Sequence, residues 1–344
     1  MEGKNILITG AAGFIGSNVV SSLVLKYPNY NFISLDKLDY CSSLNNLKEI
    51  ENAKNHKFIK GNILSFDFMS YILKSNEIDT IMHFAAQTHV DNSFGNSFQF
   101  TENNIMGTHV LLEASKAHNK IKRFIHVSTD EVYGEVAKDG TFDDFHNEKT
   151  TVLQPSNPYA ATKAGAEFLV QAYFKSFGLP IIITRGNNVY GPKQYPEKLI
   201  PKFICLLSKK KKCTIHGDGS NKRNFIYIDD VVSAFDTILH KGEIGKIYNI
   251  GTDYEISNLQ VAKHLIELFG YEPIDNWIQF VEDRPFNDFR YAINFDQLKS
   301  LGWSAKIGFQ DGLKQTLDWY SKLSPSHWED LESALVAHPR MGMK

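Results

Sequence analysis

Residues 5–36 constrain this chain more than any other stretch. Asn5 to Thr9 is a short apolar run closed by a glycine, and from Phe14 onward apolar residues fall at Ile15, Val19, Leu23 and Val24, a helical spacing. Between the two, Gly10, Gly13 and Gly16 form a GxxGxxG turn. In such a turn one glycine makes the bend, one lets the backbone approach a pyrophosphate, and one lets helix and strand pack closely, while the helix N-terminus offers donors and a positive dipole. Asp36 closes the next apolar run 20 residues after Gly16, where a carboxylate would hydrogen-bond the ribose of an adenosine. Glycines alone also mark plain turns, but the strand before, the helix after and Asp36 together favour a dinucleotide site. An acid at that place repels a 2′-phosphate, so NAD is expected over NADP, an argument that the neighbouring Lys37 weakens without reversing.

The same alternation recurs along the chain. Asn31 to Leu35 reads as a strand ending at Asp36, and further strands are expected over His56 to Lys60, Thr80 to Ala85, Phe124 to Ser128 and Pro180 to Thr184. Helical stretches lie between them, among them Thr108 to His118 and Pro158 to Phe177. Apolar strands separated by helices signify a parallel sheet covered on both faces, because parallel neighbours need a crossover. The expected fold is therefore α/β: a doubly wound parallel sheet of Rossmann type with a smaller, discontinuous α/β lobe. Residues 1–189 are assigned to the dinucleotide domain, with 225–251 returning to it. Residues 190–224 and 252–323, rich in turn signals such as Gly191-Pro192 and Gly217-Asp218-Gly219, form the lobe, and 324–344 is a weakly patterned, loose tail.

Composition removes several alternatives. With 344 residues, 42% hydrophobic and 22% charged, the chain has ample material for a large core. Lys+Arg 37 against Asp+Glu 39 gives no pull toward nucleic acid or an anionic membrane. Cys41, Cys205 and Cys213 match neither a zinc site nor a disulfide framework, and no apolar run approaches a membrane span. A soluble, unprocessed cytoplasmic protein is expected. His83, and His89 with Asp91 nearby, read as ordinary polar structure near a strand end, so no metal is expected.

Tyr159 and Lys163 stand four apart on an expected helix and so share a face. A tyrosine alone is a poor base at neutral pH, but an adjacent ammonium favours the phenolate and lowers its pKa. His83, Ala85 and Ala86 end one strand, and Ser128 and Thr129 end another, at the edge where ligands of such sheets lie.

Through Gly10-Ala-Ala-Gly13-Phe-Ile-Gly16, His83-Phe-Ala85-Ala86, Val127-Ser128-Thr129 and Tyr159-Ala-Ala-Thr-Lys163, the chain resembles the extended short-chain dehydrogenase/reductases from about Asn5 to Tyr320. That family carries out epimerisation, decarboxylation, reduction and dehydration of nucleotide sugars. Thr129-Asp130-Glu131 narrows the choice, because an acidic pair supplies one group to remove a proton and one to protonate a departing hydroxyl. Here, and at Pro196-Glu197-Lys198-Leu199-Ile200-Pro201, Asp283-Arg284-Pro285 and Gly302-Trp303, the chain closely resembles the nucleoside-diphosphate-glucose 4,6-dehydratases.

The resemblance implies a cycle. Tyr159, aided by Lys163 and Thr129, takes the C4 hydroxyl proton as hydride passes from C4 to NAD⁺. Glu131 then removes the C5 proton while Asp130 protonates the C6 hydroxyl and water leaves, and hydride returns to C6. It also implies that Phe14, Ile15, Asn62 and Ile63 join the cofactor residues. Substrate contacts are implied for Thr88, Asn188, Glu197, Lys198, Leu199, Asn258, Asn287 and Tyr291, with Arg223 and Arg284, in loop-like sequence, for the pyrophosphate. A homodimer through helices of the larger domain is implied as well.

The sequence departs from the family's usual pattern at Asn62, where aspartate is common, at Gln87, where glutamate is common, and at Phe286 and Asn287, which the bacterial dTDP-glucose enzymes replace by glycine and histidine. The Arg-Pro-Phe-Asn-Asp form is more similar to the dehydratase domain of eukaryotic UDP-rhamnose synthases, so UDP-glucose is favoured over dTDP-glucose, as an early step toward rhamnose or another deoxysugar. The chain shows no second reductase-like domain, so later epimerisation and reduction are expected of another protein. Same-fold alternatives are a UDP-glucuronate decarboxylase, which typically has serine in place of Asp130, and a 4-epimerase, which needs no acid pair. A non-catalytic NAD-binding protein is the alternative of a different class.

Overall fold

A computed structural model of the chain describes residues 3–136, 145–283 and 287–337. Strands β1 (Asn5–Thr9), β2 (Asn31–Asp36), β3 (His56–Lys60), β4 (Thr80–His83), β5 (Arg123–Thr129) and β6 (Ile181–Gly186) join Ile247–Ile250 in one seven-stranded sheet. All its neighbours run parallel, in the order Ile247–Ile250, β6, β5, β4, β1, β2, β3. Side chains alternate between two cores. Ile6, Ile8, Met82, Ile125 and Ile182 enter one, and Leu7, Ile81, Phe124, Ile181 and Ile183 the other, as both faces of a covered parallel sheet require. Strand order reverses between β1 and β4, and the crevice beyond their carboxyl ends is where ligands of such sheets bind.

Two helices set up that crevice. Phe14–Lys26 begins at the glycine turn. Pro158–Phe177 is capped by Asn157, whose Oδ1 accepts the Ala160 N–H at 2.8 Å, carries proline at its first position, and ends at Gly178 with φ +68°. The buried Glu167 of this helix takes a bidentate grip from Arg185 of β6, with Nη2 to Oε2 at 2.6 Å. The guanidinium also lies 4.5 Å from the Tyr133 ring centroid, so the helix is pinned to the sheet by charge as well as by packing.

Besides end shifts of one or two residues in β5 and β6, expected and observed elements differ in three places. Strand β4 stops at His83, two residues early, because Ala85 turns back to donate its N–H to Thr9 Oγ1 at 3.3 Å. Phe225, where a return to the large sheet is expected, lies instead in the strand Lys222–Tyr227 of a three-stranded sheet with Asn188–Tyr190 and Glu255–Ser257. Its aromatic residues pack there on Tyr190 and Phe309, and the chain rejoins the large sheet through the helix Ile228–Lys241 and Ile247–Ile250.

The third difference is the tail, which is docked rather than loose over residues 324–337. His327 O accepts the Ser43 hydroxyl at 2.6 Å, and Trp328 is buried against Tyr195. Lys202 and His216 of the smaller lobe bond the carbonyls of Val336 and Ala337. Fourteen residues thus bridge Ser43, just beyond β2, to Lys202 and His216. Among the described residues no helix is long and apolar enough to cross a membrane.

Candidate active site

Two adjoining cavities, of about 330 Å³ and 160 Å³, open at the carboxyl ends of the strands and share Glu131, Asn188, Glu197, Lys198 and Leu199 on their walls. The larger is lined by every expected cofactor residue, from the Gly10–Gly16 turn through Asp36–Lys37 and Asn62–Ile63 to Ala85–Ala86, Tyr159 and Lys163. Two of its glycines leave no room for substitution. Gly10 has φ +68°, and a Cβ there would sit 2.7 Å from Ala85 N, while a Cβ on Gly16 would lie 2.3 Å from Gly10 O. This is the cradle a pyrophosphate needs, with bare backbone facing the ligand at a helix N-terminus.

The buried Asp36 accepts the N–H groups of Ala12 at 3.0 Å and Leu38 at 2.8 Å, and the Ser42 hydroxyl at 3.1 Å, which locks the end of β2 to the turn. Burial pushes its carboxyl above the usual range. Lys37 is drawn away to Asp39 at 2.9 Å and Asn103 Oδ1 at 2.9 Å, so its charge is already committed. The residues present fit a dinucleotide with a free 2′-hydroxyl.

At the other end of this cavity, β5 delivers Thr129, Asp130 and Glu131 in one tight turn, with the Thr129 hydroxyl accepting the Glu131 N–H at 3.3 Å and donating to Asp130 Oδ1 at 3.2 Å. Asp130 is 2% exposed, and burial together with the charge of Glu131 pushes its carboxyl up to about 7. Asn187 Nδ2 donates to Asp130 Oδ2 at 2.7 Å, and Asn157 Nδ2 to Glu131 Oε2 at 3.0 Å. Burial raises Glu131 as well, against the Asn157 hydrogen bond. One carboxyl is thus poised between acid and base at neutral pH beside a second that burial also raises.

Tyr159 and Lys163 enter the same cavity from one helix face, as expected, but their electrostatics differ from the sequence reading. The Tyr159 phenol is pushed up, by burial and by the charges of Glu131 and Asp130, whereas the ammonium was expected to bring it down. Lys163 Nζ instead donates to the Val127 carbonyl at 2.6 Å, and burial pulls its ammonium down to about 8. Two carboxylates and loss of water outweigh a cation engaged elsewhere. His83 is a buried structural residue between the hydroxyls of Thr9 and Thr108, at 2.7 and 3.0 Å, with burial taking it down to about 3. Among the described residues no group of three His, Cys, Asp or Glu side chains could hold a metal ion.

The smaller cavity gathers Arg223, Asn258, Asn287 and Tyr291 opposite the shared wall, while Thr88 lines the larger one. Lys198 Nζ donates to the Thr88 carbonyl at 2.6 Å, closing the lobe over the sheet edge. Arg223, expected in a loop, lies in the strand Lys222–Tyr227, where Ile256 is its pairing partner. Its guanidinium reaches Asn287 Oδ1 at 3.3 Å and lies 4.9 Å from the Tyr291 ring centroid, so strand pairing holds the cation rigidly at the cavity wall. Arg284 falls outside the described residues.

Sequence reasoning missed Asn157, Asn187, Asp39 and Tyr40. Asn157 carried a signal, an Asn-Pro step opening a helix. Tyr40 carried none: its hydroxyl bonds Glu197 Oε2 at 2.8 Å, 157 residues away.

The chain is similar to known proteins along most of its length. The family model described as GDP-mannose 4,6 dehydratase matches residues 7–316. A trifunctional UDP-glucose 4,6-dehydratase/UDP-4-keto-6-deoxy-D-glucose 3,5-epimerase/UDP-4-keto-L-rhamnose-reductase of Arabidopsis thaliana is 58% identical over 99% of this chain and 50% of its own length, so the chain spans about half of that relative. A dTDP-D-glucose 4,6-dehydratase of Dictyostelium discoideum is 50% identical over 95% of this chain and 84% of its own length. Among solved structures, a dTDP-glucose 4,6-dehydratase of Streptomyces venezuelae with NAD bound superposes with a TM-score of 0.89 at 35% identity, covering 95% of this chain and all of that one. Fold and sequence agree along nearly the whole chain, which is a member of the GDP-mannose 4,6 dehydratase family.

Proposed function

We propose that the chain is an NAD-dependent nucleoside-diphosphate-glucose 4,6-dehydratase that prefers UDP-glucose and acts early in the formation of rhamnose or another deoxysugar. The observation that carries this reading is the buried pair at the end of β5, with Asp130 held near 7 beside Glu131. Elimination of water needs an acid and a base within one turn, and such a pair has no structural purpose in a site that only epimerises. The Gly10–Gly16 turn, Asp36 and Ala85–Ala86 would hold NAD, which when bound would supply the hydride acceptor at the start of the cycle and the hydride donor at its end.

The protein's own groups move the protons. Tyr159 takes the C4 hydroxyl proton, with Thr129 beside it. Glu131 accepts the proton from C5, made acidic by the new 4-ketone, and Asp130 gives its proton to the C6 oxygen as that oxygen departs as water. Glu131 later returns its proton to C5. Arg223, fixed by its strand and by Asn287, provides the cation for the pyrophosphate.

Preference for UDP-glucose is supported by the higher identity to the Arabidopsis relative than to the Dictyostelium one. One methyl on the base is worth only about 1–3 kcal/mol, so both sugars should react. We propose dehydration alone for this stretch, with epimerisation and reduction supplied elsewhere. A cytoplasmic location is part of the proposal, and so is a homodimer, which is supported by Phe98, Met106 and Phe168, exposed on helical segments that pack together.

The test is to incubate the purified protein with UDP-glucose and with dTDP-glucose, without added reductant, and follow mass. Loss of one water, faster with UDP-glucose and abolished by Asp130→Asn in a folded protein, is expected. Unchanged mass with both sugars overturns the reading.

A further inference from the structure

Asn187 lies one residue beyond β6, is 5% exposed, and is bonded on three sides. Its backbone N–H donates to Ile250 O at 3.0 Å, its Oδ1 accepts the Thr252 N–H at 3.2 Å, and its Nδ2 donates to Asp130 Oδ2 at 2.7 Å. The Thr252 amide can only donate, so it settles which way the Asn187 side chain points: the NH₂ group must face Asp130. Gly251 makes the space, since a Cβ there would lie 2.5 Å from Asn187 Oδ1. The other oxygen of Asp130, Oδ1, lies 3.2 Å from Thr129 Oγ1.

We propose that Asn187 is a positioning residue that decides which oxygen of Asp130 carries the transferable proton. A proton on Oδ2 would set two donors, O–H and N–H, against each other, whereas the Thr129 hydroxyl, which donates to Oδ1 of the carboxylate, can rotate to accept, so the neutral acid carries its proton on Oδ1, beside Thr129. Without the amide only the Thr129 hydroxyl orients the carboxyl, and the hold on its orientation weakens, because that torsion is broad and two-fold. Resting on the dehydratase reading, the consequence is a directed transfer. The Oδ1–H bond breaks and its proton passes to the C6 hydroxyl oxygen, the C6–O bond breaks with its electron pair leaving on oxygen, and the C5–H electrons form the new C5=C6 bond as Glu131 takes the proton.

The amide also sets the balance between the two forms of Asp130. The charge of Glu131 favours the neutral acid, whereas Arg223 and the hydrogen bonds from Asn187 and Thr129 favour the carboxylate, and the Tyr159 phenol shares the same buried space. Removing the Asn187 donor therefore raises the pH at which Asp130 titrates.

Two folded variants test this. Asn187→Leu removes the donor at similar size, and Gly251→Ala leaves the asparagine present but pushes its amide aside. In the NAD-loaded protein, carboxyl ¹³C NMR, assigned by the signal missing in Asp130→Asn, should show Asp130 titrating about one pH unit higher in both variants, as loss of one hydrogen bond to a charged group predicts. With UDP-glucose the alkaline limb of kcat should move up with it and kcat at pH 7 fall by ~10-fold or more, while KM changes less than about twofold. Asn187→Ser, which keeps a shorter donor, should lie between and decides the matter if Asn187→Leu does not fold. An unshifted Asp130 titration, or a lower kcat with an unmoved alkaline limb, overturns the assignment. A shifted titration in a protein that dehydrates neither sugar supports the pairing and overturns the dehydratase reading instead.

Discussion

At one end of the cleft, Gly10, Gly13, Gly16 and Asp36 all come from a single strand–helix–strand unit of 32 residues. At the other end, Asp130 and Glu131 depend on Asn187 beyond β6, Asn157 ahead of the long helix, and Arg223 in the smaller lobe. The first end binds with backbone, so what it requires is the absence of side chains. The second works with side-chain protons, so it requires burial and donors brought from far along the chain. A binding turn can thus be encoded locally, whereas a tuned acid can only be assembled by folding.

The largest effect should separate chemistry from stability at the acidic end. Asp130→Asn is expected to lower turnover by ~10²–10⁴-fold, read from initial rates of water loss. The same substitution should stabilise the fold at alkaline pH. Because the folded-state value, about 7, lies above the ordinary 3.8, the folded protein loses stability relative to the unfolded chain as pH rises from about 4 to 7, and the full penalty remains above 7. Urea unfolding should therefore show Asp130→Asn more stable than the parent at pH 8, by on the order of a few kcal/mol, with the difference shrinking toward pH 4. Equal stability at both values would mean that Asp130 is not under strain.

Next in size, Glu167→Leu strands the buried Arg185 and should cost ~3–5 kcal/mol in urea unfolding, which tests whether the helix Pro158–Phe177 is held by tertiary charge. Smaller still, Gly16→Ala should cost about 1–3 kcal/mol of NAD affinity in a calorimetric titration while leaving Asp130 titration unchanged. If Gly16→Ala moved that titration, the two ends would not be independent and the comparison would fail.

Legibility followed the same division. Strands β1 and β3 and the helix Pro158–Phe177 have the bounds that period and punctuation suggest, because glycine, proline and Asn157 mark their ends. The strand Lys222–Tyr227 was harder: an apolar run does not say which sheet it joins, and the choice is made by Tyr190 and Phe309. The docking of residues 324–337 was not legible, since a single buried tryptophan and a row of carbonyl contacts leave no periodic trace. The identity of Thr129, Asp130, Glu131, Tyr159 and Lys163 could be read from motif, but the direction of the Tyr159 shift could not, because it depends on where Lys163 Nζ comes to rest.

By itself the sequence determined what adjacent residues settle: the parallel sheet, through apolar runs and crossover helices; the dinucleotide turn, through three glycines and Asp36; and the acid pair that follows β5. Only the tertiary structure decided how those groups behave. The raised carboxyl of Asp130 is a product of burial, and the amide that Asn187 aims at it, the grip of Arg185 on Glu167 and the bond from Ser43 to the docked tail join residues 57, 18 and 284 positions apart. The physical reason is that backbone conformation is set by near neighbours, whereas desolvation and charge are set by whatever the fold packs alongside.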